Sequence, residues 1–470
     1  MNNQTVDLQQ FTQLTESLDS MWISMSTYLV FLMQAGFAFL EAGSVREKNV
    51  QNILIKNMLD ICGCTVVWWL VGYAFAYGDS AGLFIGSSKF ATADFEGTTE
   101  YRDWLFQWAF AGTAATIVSG SLAERTHILA YISYALFITT FIYPIIVHWT
   151  WGGGWLADQG YLDFAGSGIV HLVGGVAGIV GSYIVGARLG RFDPNRSQEF
   201  KPHNVPMVVL GTLLLWFGWY GFNCGSTLSA TSDNSVLISK IGVNTTLAAA
   251  TAGLVCFANH AINNINKRNM YNISPLTNGI LAGLVSITAA CNNVAPFSAF
   301  IIGIIGGLVY TFFSNLLVKF KIDDPLDAFP VHAGCGIWGV IAVGLFDQSS
   351  GLFYGHGFKQ LGVQLLAILC ISLWTAILSA LVFLLLKKYQ ILRISQAEEE
   401  QGMDRAEHGG TAYHFNVADI NDDPSPTRVS PNEENEQPQQ TIDNEQPQQT
   451  IDNEQPQQTI DNEQPQQTID

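Results

Sequence analysis

Eleven apolar stretches, separated by polar loops, occupy the first 388 residues and restrict the chain to one class of fold. A helix needs about 20 mostly apolar residues to cross the hydrocarbon core of a bilayer. Only 13% of the residues are charged, whereas an ordinary soluble domain has about 25%. The sequence therefore predicts an all-α membrane protein with eleven transmembrane helices, over 21–43, 53–76, 104–123, 127–149, 166–187, 204–226, 236–261, 275–292, 297–318, 331–346 and 360–388.

Lysine and arginine residues are concentrated in alternate loops. If the N-terminus is outside, seventeen of them lie on the inner side and four on the outer side. Cytoplasmic loops carry the excess of basic residues in membrane proteins. The pattern predicts an extracellular N-terminal segment over 1–20, a transmembrane domain over 21–388 and a cytosolic C-terminus.

The net charge of −18 belongs to the C-terminal tail. From Ser395 onward there are 18 acidic and 2 basic residues, against 21 and 19 in the first 394. Residues 389–415 are predicted to be a cytosolic regulatory tail. Residues 435–470 are four copies of a nine-residue acidic repeat with few apolar side chains, so 416–470 are predicted to be disordered. A clustered basic face is lacking, which argues against a nucleic-acid partner.

Two parts of the chain repeat one pattern, in which an aspartate precedes a histidine by eight residues. The first copy runs from Asp163 to His171 and the second from Asp324 to His332. The copies lie five predicted helices apart, so they run in opposite directions through the membrane. This predicts two inverted five-helix halves followed by an eleventh helix. The simplest role for each aspartate is to cap the N-terminus of its helix.

The two histidines need an explanation, because an ionisable side chain in hydrocarbon costs about 2.5–3.5 kcal/mol. A single such histidine is most simply a structural residue with a satisfied hydrogen bond. Two histidines at mirrored positions favour a facing pair, since a neutral imidazole offers one donor and one acceptor. We predict that His171 and His332 share a hydrogen bond inside an apolar pore.

Aromatic residues cluster at three places on the predicted outer side: 106–110, 151–155 and 222–226. Each cluster alone is typical of the aromatic belt at a membrane interface. Together they favour a cage for a small cation, since cation–π attraction is worth about 2 kcal/mol or more when desolvated. Ser226 adds a hydroxyl that can accept a hydrogen bond. The spaced pair Cys62 and Cys64 points to different helix faces, so neither a metal nor another cofactor is predicted.

Several long stretches resemble the ammonium transporter family (Amt/Mep/Rh). The resemblance covers roughly residues 20–415. The stretches that carry it are 34–43 (Gln-Ala-Gly-Phe-Ala-Phe-Leu-Glu-Ala-Gly), 106–125, 151–154 (Trp-Gly-Gly-Gly), 163–171 (Asp-Phe-Ala-Gly-Ser-Gly-Ile-Val-His), 222–226 (Phe-Asn-Cys-Gly-Ser) and 323–332.

The resemblance implies a role for each matching residue. Phe110, Trp151 and Ser226 would recruit ammonium at the outer face, with Asp163 supporting this substrate-binding site. Phe110 and Phe222 would form a stacked gate below it. The presence of both Trp151 and Ser226 is typical of the Amt branch, because Rhesus relatives usually lack them.

The resemblance also implies a mechanism and a setting. NH4+ or methylammonium would be deprotonated, and NH3 and a proton would pass the pore histidines His171 and His332, which makes uptake electrogenic. The protein would be a homotrimer in the lipid bilayer of the plasma membrane, or of an endosome or vacuole, and not an enzyme.

The loop Asp323–Asp327 and the tail motif Gly402–Tyr413 resemble the plant-type eukaryotic subgroup. That subgroup often carries a phosphorylatable threonine where this chain has Ala406, so the usual phosphorylation switch is not expected at this position.

Three other functions remain open from the residues alone. An electroneutral channel for NH3 or CO2 would give flux without current. An ammonium sensor would lose signalling, but not flux, when residues 395–470 are deleted. A haem or metal oxidase would need further ligands at metal spacing beside the two histidines, which the sequence lacks.

Overall fold

The computed structural model describes residues 8–267 and 270–413. The four repeats of the predicted disordered tail lie outside the described residues. The described chain is helical apart from turns and one antiparallel pair of two-residue strands, Ser80–Ala81 and Ile85–Gly86. This confirms the predicted all-α class.

Each of the eleven predicted ranges contains a helix. The helices are α1 (Leu8–Ser44), α2 (Glu47–Tyr77), α3 (Glu100–Leu122), α4 (Ile128–Trp149), α5 (Ser167–Val185), α6 (Val205–Gly225), α7 (Asn234–Asn263), α8 (Ile273–Thr288), α9 (Pro296–Lys319), α10 (Phe329–Phe346) and α11 (Lys359–Lys388). Among the described residues, nine of these are both long and apolar enough to cross a membrane. Helix α8 has 16 residues and α3 begins with charged residues. The number of crossings and their direction therefore stay predictions.

The first helix extends further towards the N-terminus than its predicted span, 21–43. Residues 1–20 were predicted as a segment separate from the first span, but α1 begins at Leu8 and runs for 37 residues. At 1.5 Å per residue it is about 55 Å long, which exceeds a hydrocarbon core of about 30 Å. The polar residues of this part include good helix formers and no glycine or proline, so the helix continues past the apolar stretch.

Helices α5 and α10 both begin with six π-helical residues, Ser167–Leu172 and Phe329–Gly334. The N–H of His171 donates to the carbonyl of Gly166, five residues earlier, at 3.1 Å. Such widened turns occur mostly at functional sites. Each segment contains one of the two histidines, so the repeated pattern in the sequence corresponds to a repeated departure from α-helical geometry.

The same two helices are packed backbone against backbone. A Cβ atom at Gly175 in α5 would lie closer than 3.0 Å to the backbone nitrogen of Ala333 in α10. A Cβ atom at Gly336 in α10 would similarly overlap the carbonyl of Ser167. Small residues at helix contacts allow this approach inside a membrane. Glycine at these two positions therefore sets the distance between the two histidine-bearing segments.

Residues 389–413 pack against the end of the helices that is predicted to be cytosolic. The carboxylate of Asp404 accepts hydrogen bonds from the backbone N–H groups of Gln51 and Asn52 in the first turns of α2, at 2.9 and 2.8 Å. The guanidinium of Arg393 donates to the carbonyls of Val185 and Ala187 at the end of α5. A negative group at a helix start and a positive group at a helix end both stabilise the contact.

The loops beside this tail segment contain a buried ionic cluster. The guanidinium of Arg188 donates to Glu124 and to both carboxylate oxygens of Asp323, at 2.8 and 2.9 Å for the latter. Burial alone would raise the pKa of Glu124, but Arg188 and Arg46 outweigh it, and the pKa falls below its usual value. Burial would likewise raise the pKa of Asp323, but Arg188 and Arg125 lower it below its usual value. Both carboxylates therefore stay ionised at neutral pH, and the loops after α3, α5 and α9 are held together.

The close contact between α5 and α10 leads to a stability prediction. We expect Gly175→Ala to lower the thermal unfolding midpoint of the detergent-purified protein, or to abolish a monodisperse size-exclusion peak, because overpacking costs about 1–3 kcal/mol. Gly362→Ala in α11 is the matched control, since a Cβ there meets nothing within 4 Å. It should leave the midpoint unchanged or raise it slightly. Equal midpoints for Gly175→Ala and the parent protein would contradict this packing.

Candidate functional site

The two predicted histidines face each other in the interior. Their Nδ1 atoms are 3.2 Å apart, and their rings are nearly parallel, with centroids separated by 5.3 Å. His171 is fully buried and His332 is 5% exposed. The predicted hydrogen bond between them is therefore present in the structure. Their role in transport is treated under the proposed function.

This contact fixes the protonation pattern of the neutral pair. A neutral imidazole carries one N–H, so only one of the two Nδ1 atoms can donate to the other. The donor ring then has a bare Nε2, and the acceptor ring has a protonated Nε2. The two outward-facing nitrogens therefore always have opposite roles, one accepting and one donating. The Nε2 atom of His171 has no hydrogen-bond partner in the described part of the chain.

The ring of His171 is also held by an aromatic residue that the sequence analysis did not select. The indole of Trp219 in α6 stacks on it, with a centroid distance of 5.0 Å and an interplanar angle of 14°. The Trp219 Nε1–H donates to the Thr288 hydroxyl at 2.9 Å, which fixes the indole in turn. Only the position of Trp219, one helical turn before the predicted gate residue Phe222, could have suggested this contact.

Asp163 caps α5 more completely than predicted. Its two carboxylate oxygens accept hydrogen bonds from four successive backbone N–H groups, at 2.8–2.9 Å, those of Gly166, Ser167, Gly168 and Ile169. The hydroxyl of Tyr161 donates to the same carboxylate at 3.2 Å. Asp163 is 5% exposed, so these donors would otherwise be buried without partners. Its carboxylate thus holds the turn from which His171 projects.

In the second copy of the Asp–His pattern, the aspartate caps its helix less completely. Asp324 accepts one backbone hydrogen bond, from Phe329 at 2.8 Å, and its Oδ1 has no partner in the described residues. The nearby carboxylate of Asp327 accepts hydrogen bonds from the hydroxyls of Tyr310 and Ser314. The two halves therefore match in their histidines and widened turns but not in how the preceding aspartate is used.

Two phenylalanines lie between the histidine pair and Trp151. The rings of Phe110 in α3 and Phe222 in α6 are stacked, with centroids 4.0 Å apart and an angle of 20°. Both are essentially fully buried, at 1% and 0% exposure. Phe222 is also 5.5 Å from the ring of His171. The structure thus brings together the two residues that were expected to form a gate and places them next to the histidines.

Trp151 and Ser226 lie on the other side of these phenylalanines and are half-buried. The indole of Trp151 meets Phe110 edge to face at 5.9 Å, and its Nε1–H donates to the backbone carbonyl of Asp163 at 2.8 Å. The Ser226 hydroxyl donates to the carbonyl of Phe222 at 2.8 Å, which leaves its oxygen lone pairs free to accept. Trp151 and Asp163 also line a cavity of about 430 Å³.

Within residues 8–267 and 270–413, no group of three His, Cys, Asp or Glu residues is arranged to hold a metal ion. Cys62 is exposed and Cys64 is buried, in agreement with the prediction that they point to different faces.

A helical membrane protein with half-buried aromatic residues above a stacked phenylalanine pair and a buried histidine pair belongs to the class of polytopic transporters and channels. The family model described as "Ammonium Transporter Family" matches residues 21–413. The chain belongs to the ammonium transporter family, as the resemblance predicted.

Similar proteins come from plants, from other eukaryotes and from a cyanobacterium. Ammonium transporter 1 member 3 of Solanum lycopersicum is 41% identical over 443 residues, which cover 87% of this chain and 95% of the relative. Ammonium transporter 1 member 1 of Arabidopsis thaliana is 42% identical over 412 residues, covering 80% and 81%.

Solved structures agree with these relatives. A structure named "Sensor Amt Protein" has a TM-score of 0.78 at 37% identity, and the alignment covers 84% of this chain and 99% of that one. Mep2 of Candida albicans has a TM-score of 0.74 at 30% identity, covering 81% and 87%. The fold is therefore that of the Amt/Mep proteins.

The capping by Asp163 leads to a second prediction. Asn at this position has one oxygen instead of two, so Asp163→Asn leaves buried N–H groups without an acceptor, at about 1–3 kcal/mol each. We expect a lower thermal unfolding midpoint in detergent, and a larger decrease for Asp163→Ala. Asp158→Asn changes an exposed carboxylate in the same loop before α5 and should leave the midpoint unchanged. A wild-type midpoint for Asp163→Ala would show that the cap does not stabilise α5.

Proposed function

We propose that the protein takes up ammonium electrogenically. NH4+ binds at the outer face, loses a proton, and crosses the apolar interior as NH3, while the proton passes the histidine pair. The observation that carries this proposal is the 3.2 Å contact between the Nδ1 atoms of His171 and His332. Membership of the ammonium transporter family supports ammonium as the substrate, with methylammonium as its close analogue.

Recruitment rests on Trp151, Phe110 and Ser226. The π-faces attract a cation, and the hydroxyl oxygen of Ser226 accepts an N–H from it. This oxygen is free to accept because its own proton is donated to Phe222. Asp163 acts indirectly: its carboxylate holds the backbone before His171 and the hydroxyl of Tyr161, and its backbone carbonyl holds the indole of Trp151. Below the site, Phe110 and Phe222 close the path and act as the gate.

Selectivity follows from proton chemistry. Ammonium and potassium ions are of similar size, so a filter based on size cannot separate them. A charge is costly in hydrocarbon, whereas neutral NH3 is not, so an ion that cannot release a proton is excluded. At any moment one Nε2 atom of the pair is bare and the other is protonated. The pair can therefore accept a proton on one ring and release a proton from the other.

The setting of this activity is also a proposal. We place the protein in the plasma membrane as a homotrimer with one pore per subunit, with residues 389–413 on the cytosolic side. Support comes from the apolar helices, from the basic loops next to the tail, and from the relatives named as ammonium transporters.

The histidine pair provides the main test. In oocytes, His171→Ala and His332→Ala should each reduce the ammonium-evoked current to background, because either change removes half of the proton path. Potassium should evoke no current in the wild type. A wild-type current in either variant, with potassium still excluded, would refute the mechanism. Ammonium flux without current in the wild type would indicate an electroneutral gas channel instead.

The recruitment site provides a separate test. Trp151→Leu and Ser226→Ala should raise the ammonium concentration for half-maximal current, with the larger effect for Trp151→Leu, about 3- to 30-fold for a loss of about 0.7–2 kcal/mol. Trp69→Leu is the matched control, since Trp69 is an exposed tryptophan on α2. An unchanged half-maximal concentration in both site variants would argue against this site.

A further inference from the structure

A small cavity lies beside His332, on the side away from the phenylalanine gate. Its volume is about 20 Å³, and its lining is apolar except for the side chains of His332 and Glu41. A cavity of this size has room for one water molecule, which needs at least 10–15 Å³. Because Nδ1 of His332 is engaged by His171, its Nε2 is the atom left to exchange a proton across this cavity.

Glu41 is an unusual residue for this part of α1. It is 1% exposed, and its carboxylate accepts hydrogen bonds from the hydroxyl of Ser119 in α3 and from the amide of Asn57 in α2, the latter at 3.1 Å. None of the ion pairs in the described residues includes Glu41. A carboxyl group buried among neutral partners is costly. A glutamine could accept from Ser119 through its oxygen and donate through its amide to Oδ1 of Asn57 once the Asn57 amide is turned over, since that oxygen has no partner in the described residues. Packing alone therefore does not explain an ionisable group here.

The surroundings contain two other titratable groups from the packed helices. Lys56 in α2 turns away and donates to the carbonyl of Thr126 at 2.7 Å. Asp60 in α2 is fully satisfied by the hydroxyls of Thr116 and Tyr131, at 2.9 and 2.8 Å, and by the thiol of Cys64. Neither lines the cavity. Among the described residues, Glu41 is thus the one carboxyl group that lines this cavity together with His332.

We propose that Glu41 is the group that receives the transported proton from His332. A protonated His332 gives its Nε2 proton to one water in the cavity, and that water passes one of its own protons to the Glu41 carboxylate. His332 becomes neutral, Glu41 becomes a carboxylic acid, and the water is regenerated. NH3 needs no such acceptor. The proton and the NH3 molecule therefore follow separate paths from this point.

The way out from this cavity is short. Leu40 and Leu326 line both the small cavity and a larger one of about 170 Å³, which also contains Asp324, Asp327 and Arg191. This larger cavity lies among the loops that are predicted to be cytosolic. Glu41 follows Leu40 in the chain, so it stands at the wall between the histidine pair and that polar space. A proton on Glu41 leaves through this cavity.

This inference rests on the proposed function, and its test separates the two. Ammonium-evoked currents are recorded in oocytes at matched surface expression for the wild type, Glu41→Gln and Glu41→Asp. Glu41→Gln should lower the current about tenfold or more, as expected for loss of a proton-transfer group. Glu41→Asp should retain part of it. Asp60→Asn is the matched control, a buried carboxyl outside the cavity, and should keep the current within about twofold of wild type.

A solvent isotope effect distinguishes a relay from a purely structural residue. Replacing H2O by D2O should slow the residual current of Glu41→Asp more than that of Asp60→Asn, because only the former has a lengthened proton path. A wild-type current in Glu41→Gln, while His332→Ala abolishes current, would overturn the role of Glu41 alone. An absence of current in the wild type would overturn the proposed function first.

Discussion

The hydrogen bond between two buried imidazoles, which share one proton, is the interaction on which most of this structure depends. The two Nδ1 atoms must stay about 3 Å apart in a medium that offers no other partner. That distance requires glycine where α5 and α10 meet, an indole stacked on His171, and a fixed first turn in α5. Each of these was found, and each comes from a different part of the chain: Gly175, Trp219 and Asp163.

The sequence predicted the parts that depend on composition and spacing. Apolar length located all eleven helices, and the aspartate-to-histidine spacing predicted the facing pair, because both patterns are direct consequences of helix geometry and solvation. The resemblance to ammonium transporters supplied Phe110, Phe222, Trp151 and Ser226, and the structure places the first three in one contiguous aromatic group.

Other features could not be predicted from the sequence, for physical reasons. The π-helical turns at Ser167–Leu172 and Phe329–Gly334 leave no mark in apolar periodicity, because both segments are short and buried, apart from Phe329, and so present no solvent-exposed polar face. The stacking of Trp219 and the cavity beside Glu41 depend on distances between helices that are far apart in the chain. The difference between Asp163 and Asp324 depends on the conformation of the loops before them. Both aspartates precede a histidine by eight residues, so this spacing does not determine how many backbone N–H hydrogen bonds each aspartate accepts.

Backbone contact between α5 and α10 also bears on how the substrate moves. In carriers with inverted repeats, one half commonly rocks against the other to open the site alternately to each side. Here α5 and α10, which carry the two histidines, are in close backbone contact at Gly175 and Gly336, and this contact opposes sliding of one helix past the other. On the proposed function, passage then depends on side-chain rotation at the phenylalanines and on proton hopping, both of which are local. We therefore expect a shallow temperature dependence of turnover, as in a channel, and not the steep dependence of a carrier that reorients whole domains.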